Sequence, residues 1–452
     1  MESLDFASAA SDAATATIVM PSAPRRPEPA RSPVNEPFLP PEPQTLDEAG
    51  LASADVEALI LKQLLICGLA TGRKIAEQIK MPFGITQEIL RGLKHQMLVN
   101  YKCQAAMGDF EHELTAEGEA KARWSVERCT YCGAAPVPMK DYVAAIEKQS
   151  IRRSRPSLSD MCAAFADLTL TPALISTIGQ SLHTGRGLFI YGSPGNGKTS
   201  IAERVIRAVE QYIWLPRTIV ITGEIIRLFD PASHEEAPPT ASGQLLETMR
   251  YDRRWVRIKR PSIIVGGELK LEHLEFASNT ATGIIEAPLQ MKANGGALVV
   301  DDFGRQRVSP DELLNRWIVP LEKGHDYLTL PSGRQIQVPF DPLLVFSTNI
   351  EPKKLVDEAF LRRMPYKVEI ADPTAKEFRD LIKQWCGKLD LEYRDEAVDH
   401  LIEKHYSQRP MRFCHARDLL MQVKTFFDFH ELPRELSAKA FDVAVKNYFA
   451  GL

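Results

Sequence analysis

The sequence predicts an α/β core of the P-loop type, a parallel sheet with helices on both faces. A C-terminal α-helical lid follows it, and a small helical module ending in a hairpin precedes it. Three observations carry that prediction. A glycine-rich loop ending in Lys198 joins a short apolar run, Leu188–Tyr191, to a helical stretch. Two further apolar runs of strand type, 296–300 and 343–348, end in Asp301-Asp302 and in Asn349. From about Pro373 the apolar spacing is helical to the C-terminus.

Length and composition set the frame. A chain of 452 residues suggests two to four domains, and 44% hydrophobic residues supply a sizeable core. No run of about 18 apolar residues exists, so no membrane insertion is expected. Glu2 and Asp5 stand where a secretory signal carries basic residues, and seven Cys in this length make no disulfide scaffold. The expected location is therefore cytoplasmic. The formal charge of −4 is concentrated: the first 50 residues hold three Arg against eight acids, so the rest is nearly neutral. Nucleic-acid contact would need a local patch.

Residues 1–48, with nine prolines between 21 and 43, read as a disordered Pro-rich tail. Residues 49–124 form the N-terminal module. Val56, Leu59, Ile60 and Leu64 recur at helical spacing, Gly72–Lys80 and Ile85–Leu98 make two more helices, and Val99–Cys103 with Phe110–Leu114 make a hairpin. Thr115 caps a final helix. The set resembles a winged helix-turn-helix domain. Residues 73–102 carry six basic residues against Glu77 and Glu88, which suits DNA phosphates, but the wing is acidic. Residues 125–155 read as a linker containing Cys129 and Cys132. Two thiols at this spacing are half a zinc site, and only Cys103 and His112 lie near in sequence, so linker thiols are preferred over zinc or a redox pair.

The chemistry lies in residues 156–371. Gly192-Ser193-Pro194-Gly195-Asn196-Gly197-Lys198-Thr199-Ser200 is GxxxxGK[ST] between a strand and a helix. Its glycines let backbone N–H groups surround phosphate, and the helix offers its positive end. Lys198 reaches the β and γ phosphates, and Thr199 gives a hydroxyl to Mg²⁺. Asp301, at a strand end, holds the metal, and Asp302 polarises the attacking water. The commoner second acid is Glu; Asp302 is one methylene shorter, which bears on turnover more than on binding.

Further residues resemble those of AAA+ ATPases. Leu343–Asn349 is similar to their sensor 1, where Asn349 would position water. Glu358–Arg363 is similar to the arginine-finger helix, with Arg363 favoured over Arg362. Residues 414–420 are similar to sensor 2, with Arg417 favoured over Arg412 as the lid residue touching γ-phosphate. Residues 287–296, the helix 312–322 and the hairpin 327–338 resemble the helix-2-insert branch, which includes MoxR-like ATPases. The 103 positions from Lys198 to Asp301 fit an insertion around 221–274. Residues 250–260, basic with Tyr251 and Trp255, read as an edge strand or solvated face more than a nucleic-acid strip. Residues 372–452 make the lid.

The resemblance implies an ATP- and Mg²⁺-dependent ATPase acting in a ring, expected to be a hexamer, on a protein client in a chaperone-like way. Two other readings stay open: a DNA-associated regulator switched by ATP, and a nucleotide-binding scaffold with little hydrolysis.

Overall fold

The structure is a computed structural model and describes residues 38–209, 211–237, 250–279 and 281–450. The tail expectation for 1–37 and residues 238–249 of the insertion lie outside the described residues. Residues 38–48 depart from the tail reading. Phe38 meets Trp255 edge-on at 5.8 Å, Asp252 donates its N–H to the Pro40 carbonyl at 3.0 Å, and Thr45 caps a turn of helix at Leu46–Ala49. An aromatic anchor and a capped turn offset the ordering entropy that the prolines alone do not.

The N-terminal module holds the expected elements. Helices Ser53–Cys67, Gly72–Ile79 and Phe83–His95 precede strands Val99–Gln104 and Phe110–Leu114, and helix Ala116–Arg128 follows. A short strand, Leu69–Thr71, pairs with Phe110–Leu114 to complete a three-stranded antiparallel sheet. Val56, Leu59, Ile60, Leu64, Ile75, Ile79, Ile89, Leu90 and Leu93 bury together, as the helical spacing requires.

The core is an α/β P-loop fold. Its sheet contains β1 (Leu188–Gly192), β2 (Ser262–Val265), β3 (Ala297–Val300), β4 (Leu343–Thr348) and β5 (Tyr366–Ile370). Among the described residues the order is β2-β3-β4-β1-β5, with every pair parallel. Near-continuous Val, Ile, Leu and Phe suit strands buried on both faces, and β3 and β4 are buried along their whole length. The register aligns Val265, Val300, Phe346 and, further along, Thr348 with Tyr191. The chain segments after β1, β3 and β4 therefore emerge at one edge of the sheet. Helix α1 (Lys198–Arg204) follows the loop, α2 (Pro310–Lys323) follows β3, and α3 (Glu358–Arg363) precedes β5.

Two boundaries differ from expectation. Core strand β2 lies inside the range 221–274 assigned to the insertion. Its run Ser262–Val265 is short enough to be absorbed into the surrounding strand-like pattern. The linker 125–155 is likewise a packed part of the fold. Val137–Pro138 pairs with Thr218–Ile221 in a second sheet, which also holds Glu224–Arg227, Ile284–Glu286 and Ala277–Asn279. Helix Met139–Gln149 buries Tyr142 and Ile146 against that sheet and against the ribbon Tyr212–Pro216/Trp255–Lys259. Sequence distance hid a body assembled from four stretches of chain.

The lid contains α4 (Ala375–Leu389), α5 (Asp395–His400), α6 (Phe413–His430) and α7 (Ala438–Tyr448), with a π turn at Leu401–His405 after α5. Phe378, Ile382, Leu401, Leu419, Leu420, Val423, Phe427 and Phe441 form its core. No helix among the described residues is long and apolar enough to cross a membrane.

Candidate functional site

The site is built where β1, β3 and β4 end. Ligands of open parallel sheets gather outside the carboxyl ends of the strands. β1 delivers the glycine-rich loop, β3 delivers Asp301 and Asp302, and β4, lying between them, delivers Asn349. Two glycines are needed by contact. A Cβ on Gly192 would stand 2.4 Å from the Ile370 carbonyl oxygen, and one on Gly195 would stand 2.4 Å from Cys414 Sγ. Both also have positive φ.

Three of the side chains form one hydrogen-bonded chain, and two more pair beside it. Lys198 Nζ donates to the carbonyls of Gly192 at 3.1 Å and Ser193 at 3.0 Å, and to Asn349 Oδ1 at 2.6 Å. Asn349 Nδ2 donates to Asp302 Oδ1 at 3.0 Å. Thr199 Oγ1 donates to Asp301 Oδ2 at 2.9 Å. Burial lowers the Lys198 pKa, while Asp302 and Asp301 act to raise it and Arg412 to lower it. Asp302 sits at φ 48°, in the left-handed region, and Gln306 Nε2 fastens the turn by donating to the Asp301 carbonyl at 2.8 Å.

Asn196 is turned away from this chain. Its amide donates to Asp372 Oδ1 at 2.8 Å, and its Oδ1 accepts from the Phe413 N–H at 3.4 Å. The side chain is buried and staples the loop to the end of β5 and to α6. Cys414 reinforces the staple by donating its N–H to the Gly195 carbonyl at 2.9 Å. Asp372 and Cys414 were not singled out from the sequence. The readable signal was the break at Asp372-Pro373, where the core strand passes into the lid.

The lid arginines divide. Arg412 ion-pairs with Asp372, the residue that also holds Asn196, and its charge reaches Lys198. Arg417 sits in the first turns of α6 with Nε on Asp418 Oδ1 at 2.8 Å, half exposed. The geometry thus places Arg412 beside the loop more directly than Arg417, the residue favoured from sequence. Arg412 occupies the non-helical cap position, where the chain turns against the loop.

Arg362 and Arg363 lie at the opposite end of the sheet. Tyr366, at the start of β5, pairs with Leu188, at the start of β1. The loop begins four residues further along, roughly 13 Å at strand rise. Arg363 Nε donates to Glu322 Oε1 of α2 at 2.7 Å, while Arg362 is 82% exposed with Glu358 at 3.9 Å. Both line an open cavity of about 660 Å³ with Arg152, Arg186 and Glu322. Neither reaches the loop of its own chain.

The Cys129/Cys132 pair does not assemble a zinc site with Cys103 and His112. Cys132 Sγ donates to Gln63 Oε1 at 2.9 Å, whereas Cys103 Sγ lies on Glu111 at 2.8 Å in the hairpin. Burial raises the Cys132 pKa. The basic run 250–260 is mostly consumed internally. Arg254 is buried on Asp252, Arg260 is buried on the Gln149 carbonyl at 2.9 Å, and Arg257 lies over Tyr212.

Residues 374–447 match a family described as a domain of unknown function (DUF8689). No curated protein matches the chain. Among solved structures it is distantly similar to two variants of Thermotoga maritima RuvB. One is 12% identical with a TM-score of 0.36, covering 67% of this chain and 73% of that one. The other is 13% identical with a TM-score of 0.36, covering 65% and 70%. A third structure, described as the Thermotoga maritima RuvB Holliday junction branch migration motor, is 12% identical with a TM-score of 0.34, covering 66% and 73%.

Proposed function

We propose that this protein binds ATP with Mg²⁺ and hydrolyses it between subunits of a ring, as an AAA+-type ATPase that remodels a protein client. The observation that carries the reading is the single chain of hydrogen bonds joining Lys198, Asn349 and Asp302, with Thr199 and Asp301 beside it. The donor set fits the ligands. Lys198 rests on loop carbonyls, a position from which its ammonium can turn to phosphate, and a hydroxyl with a carboxylate oxygen 2.9 Å away suits a hard cation. Magnesium, when bound, neutralises charge between the β and γ phosphates.

The remaining work belongs to this chain's residues. Backbone N–H groups of 195–199 and Lys198 bind and orient the phosphates. Thr199 and Asp301 hold the cation. Asp302 accepts a hydrogen bond from water and keeps it aimed along the in-line path, with Asn349 fixing the carboxylate. Arg412 and Arg417 bring the lid's charge to the phosphates. Arg363, anchored on Glu322, and Arg362 serve the nucleotide of a neighbour. A remote finger makes turnover depend on assembly. Steady-state ATP hydrolysis, followed across protein concentration, tests the reading. Specific activity that rises with assembly supports it, and no hydrolysis in the assembled protein overturns it.

A second reading, a DNA-associated regulator, is favoured by the exposure of Arg73, Lys74, Arg91 and Lys94 on the N-terminal module. Part of that charge is already used: Arg73 lies over Phe83 and Lys94 over Tyr101. A salt-dependent shift of duplex DNA by the full chain, weakened by Arg91→Ala, supports it.

A further inference from the structure

The geometry points to a transition-metal site of Zn²⁺ type in the lid, formed by His400, His405 and Asp442, remote in role from the nucleotide residues. His400 Nε2 lies 3.0 Å and His405 Nε2 2.6 Å from the same oxygen, Asp442 Oδ1. It is the one group of three or more potential ligands that converges among the described residues.

The local fold explains how they meet. Five residues along an α-helix turn through about 500°, which leaves positions 400 and 405 about 140° apart. The π turn at Leu401–His405 has i→i+5 bonding, which stacks residues five apart. Both imidazoles then face α7, where Asp442 stands on the first turns of the helix capped by Ser437. Such turns interrupt regular helix at a cost and recur at functional sites.

The donor set matches zinc chemistry. Two imidazole nitrogens and one carboxylate oxygen form a three-ligand set that leaves a fourth position for water. Ligands about 2.0–2.1 Å from a tetrahedral ion stand about 3.3 Å apart, so the two nitrogen–oxygen spacings need to open by less than about 1 Å, and all three ligand atoms already lie within 4.8 Å of one another. All three residues are half-buried, so an ion can enter from solvent and still be held. Lys404 Nζ donates to Asp442 Oδ2 at 2.9 Å, which orients the carboxylate and leaves Oδ1 for a metal. On binding, each Nε2 offers its lone pair to the ion, and the proton it carried moves to Nδ1 or to solvent. The ion would clamp the π turn to α7, the C-terminal helix of the lid.

Co²⁺ titration of the chelator-stripped full chain tests this, with excess Mg²⁺ covering Thr199 and Asp301. One equivalent should develop the visible d–d absorption of a low-coordinate site and be displaced by Zn²⁺. The band should persist in Cys129→Ser/Cys132→Ser. It should weaken by more than about 100-fold in affinity in His400→Gln and in His405→Gln, beyond the loss from removing a supporting hydrogen bond. Gln can still donate to Asp442, so unchanged metal-free melting of these variants certifies their fold. Absence of Co²⁺ binding by the wild-type chain overturns the proposal. So does a band that survives both Gln variants, or one that shows thiolate charge transfer and disappears with the Cys pair.

Discussion

Lys198 and Asp302 are joined through Asn349, yet their losses should separate in experiment. In the proposed role Lys198 is the cation that meets the phosphates, so in Lys198→Ala nucleotide affinity should fall by more than about tenfold, the worth of one charge-assisted contact, in a fluorescent-nucleotide titration. Asp302→Asn keeps the shape of the turn and the bond to Asn349. It should bind ATP as the wild type does, while kcat falls by about 10²–10⁴, the usual span for a positioned base. Full turnover by Asp302→Asn would remove it from the reaction. The placement of both residues was legible, because a glycine-rich loop between strand and helix and an acid after an apolar strand each fix where their side chains stand. The role of the Asn196 side chain was not legible. A short amide in the loop reads as phosphate-facing until α6 and Asp372 are seen to surround it.

At the level of elements, helix α6 and the segment before it decide how the lid meets the loop. His415 on α6 sits against Tyr406, Tyr448 and Phe449. Burial pulls its pKa down to about 4, with Arg412 adding to the shift, against an ordinary value of 6.5. Between those values the unfolded chain binds more protons than the folded one, so stability is complete above about pH 6.5 and falls as pH drops toward 4. The thermal midpoint should therefore decrease between pH 7.5 and pH 5, and His415→Gln should flatten that decrease. An equal slope in the variant would assign the acid sensitivity elsewhere. In the N-terminal module, Gly118 lets helix Ala116–Arg128 lie on Leu98. A Cβ there would stand 1.9 Å from the Leu98 carbonyl oxygen. Gly118→Ala should destabilise the module by about 2 kcal/mol or more, read as a lower denaturant midpoint. Helix spacing and the Thr115 cap made this module readable, but a backbone approach of that kind leaves no trace in apolar periodicity.

For the whole molecule, the two ends of the core sheet hold different chemistry. The loop, Asp301, Asp302 and Asn349 stand at one end, and Arg362 and Arg363 at the other. In the proposed reading, a chain so arranged completes its site with a second copy. Arg363→Ala should leave nucleotide affinity unchanged and lower the kcat of the assembled protein by about 10³ or more. Mixing it with Lys198→Ala should restore part of the activity, because each variant lacks a different half of the shared site. Failure of that rescue, with both variants assembling, would place the finger on another residue.

The glycine-rich loop, the strand-type runs and the lid helices could be read from residue order, because each depends on neighbours within a few positions. Long-range placement could not. Strand β2 within the expected insertion, the packed segment 125–155 and the body it builds with residues 212–229 depend on pairings far apart in the chain, such as Ser262 with Ala297 and Val137 with Ile219. The convergence of His400 and His405 on Asp442 depends on a π turn that no spacing rule announces. Local preference writes elements into sequence, whereas packing chooses which of them share a face, and that choice made the site at the sheet edge and the cluster in the lid.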